Sequence, residues 1–256
     1  MINSTNFFNL STVYKIGLKH LYISLVILML SLLLCSGSVQ AAILNANIVT
    51  KGSGPLTGDD AFSSAQPIGF TFSFFGVNHT QFYASTNGLI FFSNPSTTYS
   101  NQSTIPLNSI AVLWDDLKSY LGSKTPARDD YIFYKTEGTA PHRHLVIQWN
   151  NYGIYSSELQ FGTMQAILFE GTNNIEFHYN SLLTPGRSDG GSGTVGLRGT
   201  GSEILHSRNL AVLTQGEFIC WVKSGGSYTK IIGTSPSCPF TGTSLTNHSS
   251  PPPDKP

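Results

Sequence analysis

Apolar and polar positions alternate with a period of two along most of the chain after residue 42, and no stretch there keeps a 3.6-residue apolar period. In residues 68–74, apolar side chains alternate with small ones, which predicts a strand with one buried face. Residues 110–114 are continuously apolar, as expected of a central strand. Further short strands are predicted at residues 194–198, 210–214 and 218–222.

Three pairs of strand-like runs are joined by turn-forming residues and predict hairpins. Asn87-Gly88 lies between residues 81–86 and 89–93 and predicts a type I′ turn, in which both central residues need a positive φ. Residues 137–141 and 170–174 connect the other two pairs. Ten or more short strands with turns between them predict an all-β fold, an antiparallel β-sandwich or a closed barrel, of which we favour the sandwich.

The first forty-one residues have the pattern of an export signal. Lys15 and Lys19 precede an apolar run at residues 21–35. That run is short of the roughly 20 residues that span a bilayer. Val39 and Ala41 then have the spacing of a cleavage site, which predicts a signal peptide at residues 1–41, cut after Ala41.

Two alternatives to cleavage stay open: an uncleaved anchor, and a lipoprotein at Cys35, which is less favoured because Leu34 stands where a small residue is normal. Cleavage would export the chain, to be secreted, periplasmic or at the cell surface, with no membrane span in the mature chain. We expect a β-sandwich domain at residues 42–223 and a Ser/Thr/Pro-rich, extended tail at residues 224–256.

The charge balance argues against a nucleic-acid partner. The 256 residues include 14 Lys and Arg against 14 Asp and Glu, and charged residues make up 11% of the chain, against about a quarter in typical domains. Loss of Lys15 and Lys19 with the signal leaves 12 basic residues. Phosphate binding needs clustered Lys and Arg, which this chain lacks.

Cysteine usage predicts one disulfide. The mature chain would keep only Cys220 and Cys238, and two cysteines in an exported protein favour a bridge between them. Two free thiols are the alternative.

Adjacent aspartates are the candidate metal ligands. Calcium takes oxygen ligands, and the candidates are Asp115, Asp116, Asp129 and Asp130, with a third pair at residues 59–60. Because neighbouring residues on a strand point to opposite faces, each pair can offer one carboxylate to a site, and two pairs would have to converge. Capping of turns and strand ends is the alternative. No other cofactor is expected.

Four tyrosines in predicted loops are candidate ligand contacts. They are Tyr99, Tyr120, Tyr152 and Tyr155, in loops with Asn, Ser and Gly. Such loops resemble carbohydrate-binding surfaces, where rings stack on sugars; ordinary surface tyrosines are the alternative.

Residues 83–92 and 110–117 resemble the core of the nidogen-type extracellular (NIDO) domain, and the similarity covers roughly residues 55–200. The resemblance implies an extracellular β-rich module linked to adhesion, with no assigned catalytic residues.

The sequence carries no H-E-x-x-H or P-loop motif and no G-x-S-x-G elbow between a strand and a helix, so we do not expect an enzyme. Residues 186–190 match G-x-S-x-G formally but lie in a Gly- and Ser-rich predicted loop. We expect a non-enzymatic adhesion or interaction module that binds an extracellular protein or glycan. A lectin-like carbohydrate-binding module that uses calcium is the first alternative, and a secreted hydrolase is the second.

Overall fold

The computed structural model describes residues 46–120, 129–157 and 159–233. These residues form seventeen β-strands and no helix. The described part of the chain therefore contains no helix with the length and hydropathy of a membrane span. The predicted signal peptide and Cys238 lie outside the described residues.

The strands are short and follow one another through turns. The first nine are β1 (Asn47–Ile48), β2 (Thr50–Lys51), β3 (Gly54–Pro55), β4 (Gly58–Asp59), β5 (Gln66–Phe74), β6 (Val77–Ala84), β7 (Leu89–Phe91), β8 (Ser109–Trp114) and β9 (Leu117–Ser119). The other eight are β10 (Ile132–Glu137), β11 (His144–Ile154), β12 (Gln160–Phe169), β13 (Ile175–Leu182), β14 (Thr194–Arg198), β15 (Glu203–Arg208), β16 (Glu217–Ser224) and β17 (Ser227–Gly233).

Two large antiparallel sheets contain nearly all of these strands. The nine-stranded sheet has the order β1-β10-β11-β12-β13-β16-β17, with β9 paired to β11 and β4 paired to β9. The six-stranded sheet has the order β15-β14-β8-β7-β6-β5, and β2 and β3 form a small ribbon. Strands β15 and β17 each end a sheet.

The main hydrophobic core lies between the two large sheets and joins them. A single cluster of buried apolar side chains draws on both, among them Phe72 and Ile110 from one sheet and Phe177 and Trp221 from the other. Two buried hydrogen bonds also cross it. Trp149 Nε1 donates to Ser85 O at 2.9 Å, and Tyr179 Oη donates to Val112 O at 2.6 Å. The expected all-β sandwich is confirmed.

Most of the predicted strands and all three hairpins are present. The run at 68–74 lies in β5, where Ile68, Phe70, Phe72 and Phe74 are buried and the residues between them are more exposed. Every residue of β8 is buried, as predicted for a central strand. The hairpins are β6–β7, β10–β11 and β12–β13.

The predicted type I′ turn at Asn87-Gly88 is wrong. Gly88 has a φ of +77°, but Asn87 is not among the residues with positive φ. Ser85 N donates to Leu89 O at 2.8 Å, and Gly88 N donates to Ser85 O at 3.3 Å. The loop is longer than two residues, and it leaves the Asn87 side chain available for tertiary hydrogen bonds.

The predicted strand at residues 210–214 is also wrong. Leu210 and Val212 are 56% and 39% exposed, Leu213 is buried, and none of residues 210–214 pairs with a strand. The N–H groups of Val212 and Leu213 donate to Asp189 O, a loop carbonyl. The strand in this part of the chain is β15, whose Glu203, His206 and Arg208 gave no apolar period.

The predicted domain end at residue 223 falls too early. Lys223 lies inside β16, and β17 pairs with β16 over its whole length, from Phe218↔Gly233 to Ser224↔Ser227. The sheet therefore extends to Gly233. Cys220 is 1% exposed in β16, and its bridge to Cys238 stays a prediction.

Candidate functional site

Three aspartates meet where β4 pairs with β9. One carboxylate oxygen each from Asp59, Asp60 and Asp116 lies within 4.8 Å of the other two. We call these three residues the carboxylate cluster. The sequence left open whether two aspartate pairs converge, and the structure brings together residues 59–60 and one member of the pair 115–116.

Local backbone geometry explains why Asp59 and Asp60 both reach the cluster. The β4–β9 ladder sets Gly58 opposite Ser119 and Asp59 opposite Lys118, which carries Asp59 to the β8–β9 turn that holds Asp116. Asp60 lies just beyond β4 with a φ of +42°. Strand alternation does not apply to a residue in this left-handed conformation. The expectation that each pair offers one carboxylate is therefore wrong for this pair.

The side chain of Asn87 anchors the cluster to the hairpin turn. Asn87 Nδ2 donates to Asp60 Oδ1 at 2.8 Å and to Thr98 O at 3.3 Å. Its Oδ1 accepts from Leu117 N at 3.0 Å. Asn87 is completely buried, so these bonds fix the turn against the β8–β9 connection.

Burial and mutual repulsion disfavour the charged forms of the carboxylates in the cluster. Burial and the carboxylates of Asp59, Asp60 and Asp115 raise the pKa of Asp116 from 3.8 to about 6, against an opposing effect of Arg187. Burial and Asp60 also raise the pKa of Asp59, against Lys118. Asp59 Oδ1 is shielded from solvent and accepts no hydrogen bond within the described chain. Carboxylate oxygens arranged this way are the donor set of a hard cation such as Ca²⁺.

The variant Asp116→Asn should stabilise the metal-free protein at neutral pH. An acid with a raised folded pKa destabilises folding once the unfolded chain ionises, so stability is lost as pH rises from about 4 to about 6. After discounting for solvent screening, we expect a gain of about 1 kcal/mol at pH 7.5 and none at pH 4. Urea unfolding in chelator at both pH values measures this, and an equal gain at both would contradict it.

The other predicted metal ligands have structural partners instead. Asp115 accepts from Ser192 Oγ at 2.6 Å and from Arg187 Nε at 3.4 Å. Asp129 accepts from the side-chain amides of Asn150 and Asn151. These two aspartates fix loops, which is what the capping alternative predicts.

Asp130 is fully buried, where it accepts from Tyr120 N at 3.0 Å. Of the four predicted ligands, only Asp116 belongs to the cluster.

Two of the four candidate tyrosines are exposed, and both are close to the cluster in the hydrogen-bond network. Tyr155 is 46% exposed, and its N–H donates to Asp116 O at 3.1 Å. Tyr99 is 52% exposed and follows Thr98, whose carbonyl accepts from Asn87. The ammonium of Lys118 lies 5.2 Å from the Tyr155 ring centre and acts on the pKa of Asp59, which places Tyr155 beside the cluster.

The prediction that Tyr120 and Tyr152 offer rings to a ligand is wrong. Tyr152 is completely buried in the core, and Tyr120 is 4% exposed. Tyr120 Oη donates to the carbonyls of Ile154 and Tyr155. Tyr152 belongs to β11, whose apolar run continues past the Asn150-Asn151 pair that suggested a loop.

An antiparallel sandwich whose loops and strand ends gather exposed rings and carboxylates has the architecture of a binding module. A family model described as NIDO related matches residues 44–218, more than half of the chain. The chain belongs to this family, and the match confirms the resemblance in residues 83–92 and 110–117. Domains of this type are extracellular. Neither a search of curated proteins nor a search of solved structures gave a match.

Proposed function

We propose that this protein is an exported, non-enzymatic interaction module that binds an extracellular protein or glycan through the end of the sandwich that bears the carboxylate cluster. The family match over residues 44–218 carries the proposal. The exposed ring of Tyr155 beside the cluster, and the exposed Tyr99, whose neighbour Thr98 accepts from Asn87, support the choice of surface. Tyrosine supplies a large contact area at low entropy cost, which suits it to recognition.

Binding of the purified protein, expressed from the full chain, to an array of matrix proteins and glycans tests this function. We expect Tyr155→Ala and Tyr99→Ala each to weaken binding about tenfold, the effect of losing one buried aromatic contact. Leu107→Ala is the matched control, because Leu107 is 50% exposed and precedes the opposite end of β8. No binding, or equal loss in the control, would contradict the proposal.

Calcium-dependent glycan binding is the second candidate function, and the meeting of Asp59, Asp60 and Asp116 favours it. Three carboxylates give a cation half or fewer of the six to eight oxygens that Ca²⁺ takes. The remaining positions would be open to water or to sugar hydroxyls. Weak, millimolar-range affinity is typical of extracellular calcium modules, about 10⁻⁴–10⁻³ M.

The same glycan array separates this candidate from the first. Calcium dependence predicts that chelator abolishes glycan binding, that added calcium restores it, and that Asp116→Asn and Asp60→Asn abolish it. Asp129→Asn is the matched control, because Asp129 is an exposed acid outside the cluster. Binding that survives chelator would exclude the calcium role, and release of reducing sugar that Asp116→Asn abolishes would favour the hydrolase instead.

A further inference from the structure

A groove lies against one edge of each large sheet. Residues of β15, of the following loop, and of β16 and β17 line it, and its volume is about 630 Å³. Strands β15 and β17 are the last strands of their sheets, so the groove is bordered by two sheet edges. Within the part of the chain that the structure describes, β17 pairs only with β16.

An unpaired edge strand presents a row of backbone donors and acceptors to any extended chain. In β17 these groups run over seven residues without proline. Lys230 pairs with Trp221 and Ile232 pairs with Ile219, two residues of the core between the sheets. Lys230 and Ile232 therefore face the groove, and Ile232 remains 55% exposed.

Apolar side chains of the loop after β15 continue this surface. Leu210 and Val212 line the groove and are 56% and 39% exposed. Together with Ile232 they form an apolar rim around a groove whose polar groups come from His206, Glu217 and Lys230.

The two charged side chains of the groove are not paired with each other. Glu217 Oε2 accepts from Thr214 N and Thr214 Oγ1, at 2.8 and 3.0 Å, which hold its carboxylate in the loop. Lys230 forms no ion pair with any described residue. Both ring nitrogens of His206 are shielded from solvent without a described hydrogen-bond partner. Burial and the nearby ammonium of Lys230 lower the pKa of His206, against an opposing effect of Glu217.

We propose that this groove binds an extended segment of a partner protein, which adds to the edge of β17 that pairs with no described strand and offers an acidic residue to Lys230 and an apolar residue to Ile232. In an added strand, the residues opposite Lys230 and Ile232 share one face with a spacing of two. The preferred sequence thus carries an acid and an apolar residue separated by one residue. The inference rests on the proposed function, and it names a second binding surface and the partner chemistry.

The position of Lys230 argues against a second copy of this chain as the occupant. Lys230 is the central residue of β17. A symmetric antiparallel pair of β17 strands centred there would set the two lysines directly opposite each other, and like charges at such positions are destabilising. A lysine that faces inward at a sheet edge discourages pairing with strands that place no acidic residue opposite it. It favours a strand that carries such an acid.

Selection of a random nine-residue peptide library against the purified full chain tests the proposal, followed by fluorescence polarisation with the selected peptides. We expect enrichment of an acid and an apolar residue separated by one residue, and loss of binding when alternate peptide amides are N-methylated. Lys230→Glu should weaken binding about tenfold, because an attractive cross-strand pair becomes repulsive. Lys51→Glu is the control, since Lys51 is exposed in β2.

Leu210→Ser provides a second variant in an exposed loop position that the fold does not need, and it should also weaken binding. Unchanged melting temperatures would show that both variants fold. The proposal would be overturned if the library shows no enrichment, or if peptide binding is unchanged by N-methylation or by Lys230→Glu. A dimer that Lys230→Glu dissociates, in place of peptide binding, would assign the groove to a second copy and also overturn it. Tyr155→Ala should leave peptide binding unchanged, which separates this groove from the carboxylate-bearing end.

Discussion

Gly88→Ala should destabilise the protein by about 3 kcal/mol or more, from two costs that add. A residue with a side chain pays about 1–2 kcal/mol to hold the left-handed conformation, and Gly88 has a φ of +77°. A Cβ at Gly88 would also lie 2.1 Å from Leu113 O, and overpacking of this kind costs about 1–3 kcal/mol. The close approach arises because Gly88 O accepts from Val112 N, which holds the turn against β8.

Urea unfolding of three variants separates the two costs. Gly76 has a φ of +87° and open space around its Cβ position, so Gly76→Ala should show the conformational cost alone, about 1 kcal/mol. Gly201→Ala has neither cost and should be near neutral. The melting temperature of Gly88→Ala should fall by roughly 6–12 °C, at about 2–4 °C per kcal/mol. A Gly88→Ala loss no greater than that of Gly76→Ala would contradict the close packing.

Asn87→Ala should cost about 2–4 kcal/mol in metal-free buffer, although it removes a single small side chain. The buried Leu117 N–H would lose its acceptor, and an unpaired buried donor costs about 1–3 kcal/mol. Asp60 would lose the amide that binds its carboxylate, while Asp59 and Asp116 remain within 4.8 Å. We therefore expect a loss of stability together with a loss of any calcium response.

Asn150→Ala is the matched control for this substitution. Asn150 Nδ2 donates to the exposed Asp129, where water replaces the lost partner, and its Oδ1 accepts from Gln148 Nε2 at 3.0 Å, so its loss should cost about 1 kcal/mol. Chemical unfolding in chelator measures both variants. Adding calcium then tests whether the response of the wild type persists in Asn150→Ala and disappears in Asn87→Ala. Equal costs for the two variants would contradict the anchoring role of Asn87.

Local patterns in the sequence correctly predicted the buried faces wherever these depend on a single strand. The alternation in β5 and the continuous apolar run in β8 predicted which faces are buried, because strand geometry sets a period of two. The family resemblance followed from the residues around Asn87 and Trp114. The strand β15 escaped prediction, because an edge strand with Glu203, His206 and Arg208 buries too little apolar surface to leave a pattern.

The sequence by itself determined the all-β class, the hairpins and the family, since these depend on residues close together in the chain. Only the tertiary structure decided which of the candidate residues meet. Asp59 and Asp116 are brought together by the β4–β9 ladder, and Asp60 joins them through a left-handed backbone. The exposure of Tyr155 and the burial of Tyr152 likewise depend on which face each residue presents to the second sheet. The meeting of two sheet edges at Lys230 has the same origin, because strand order is set by the packing of the whole chain.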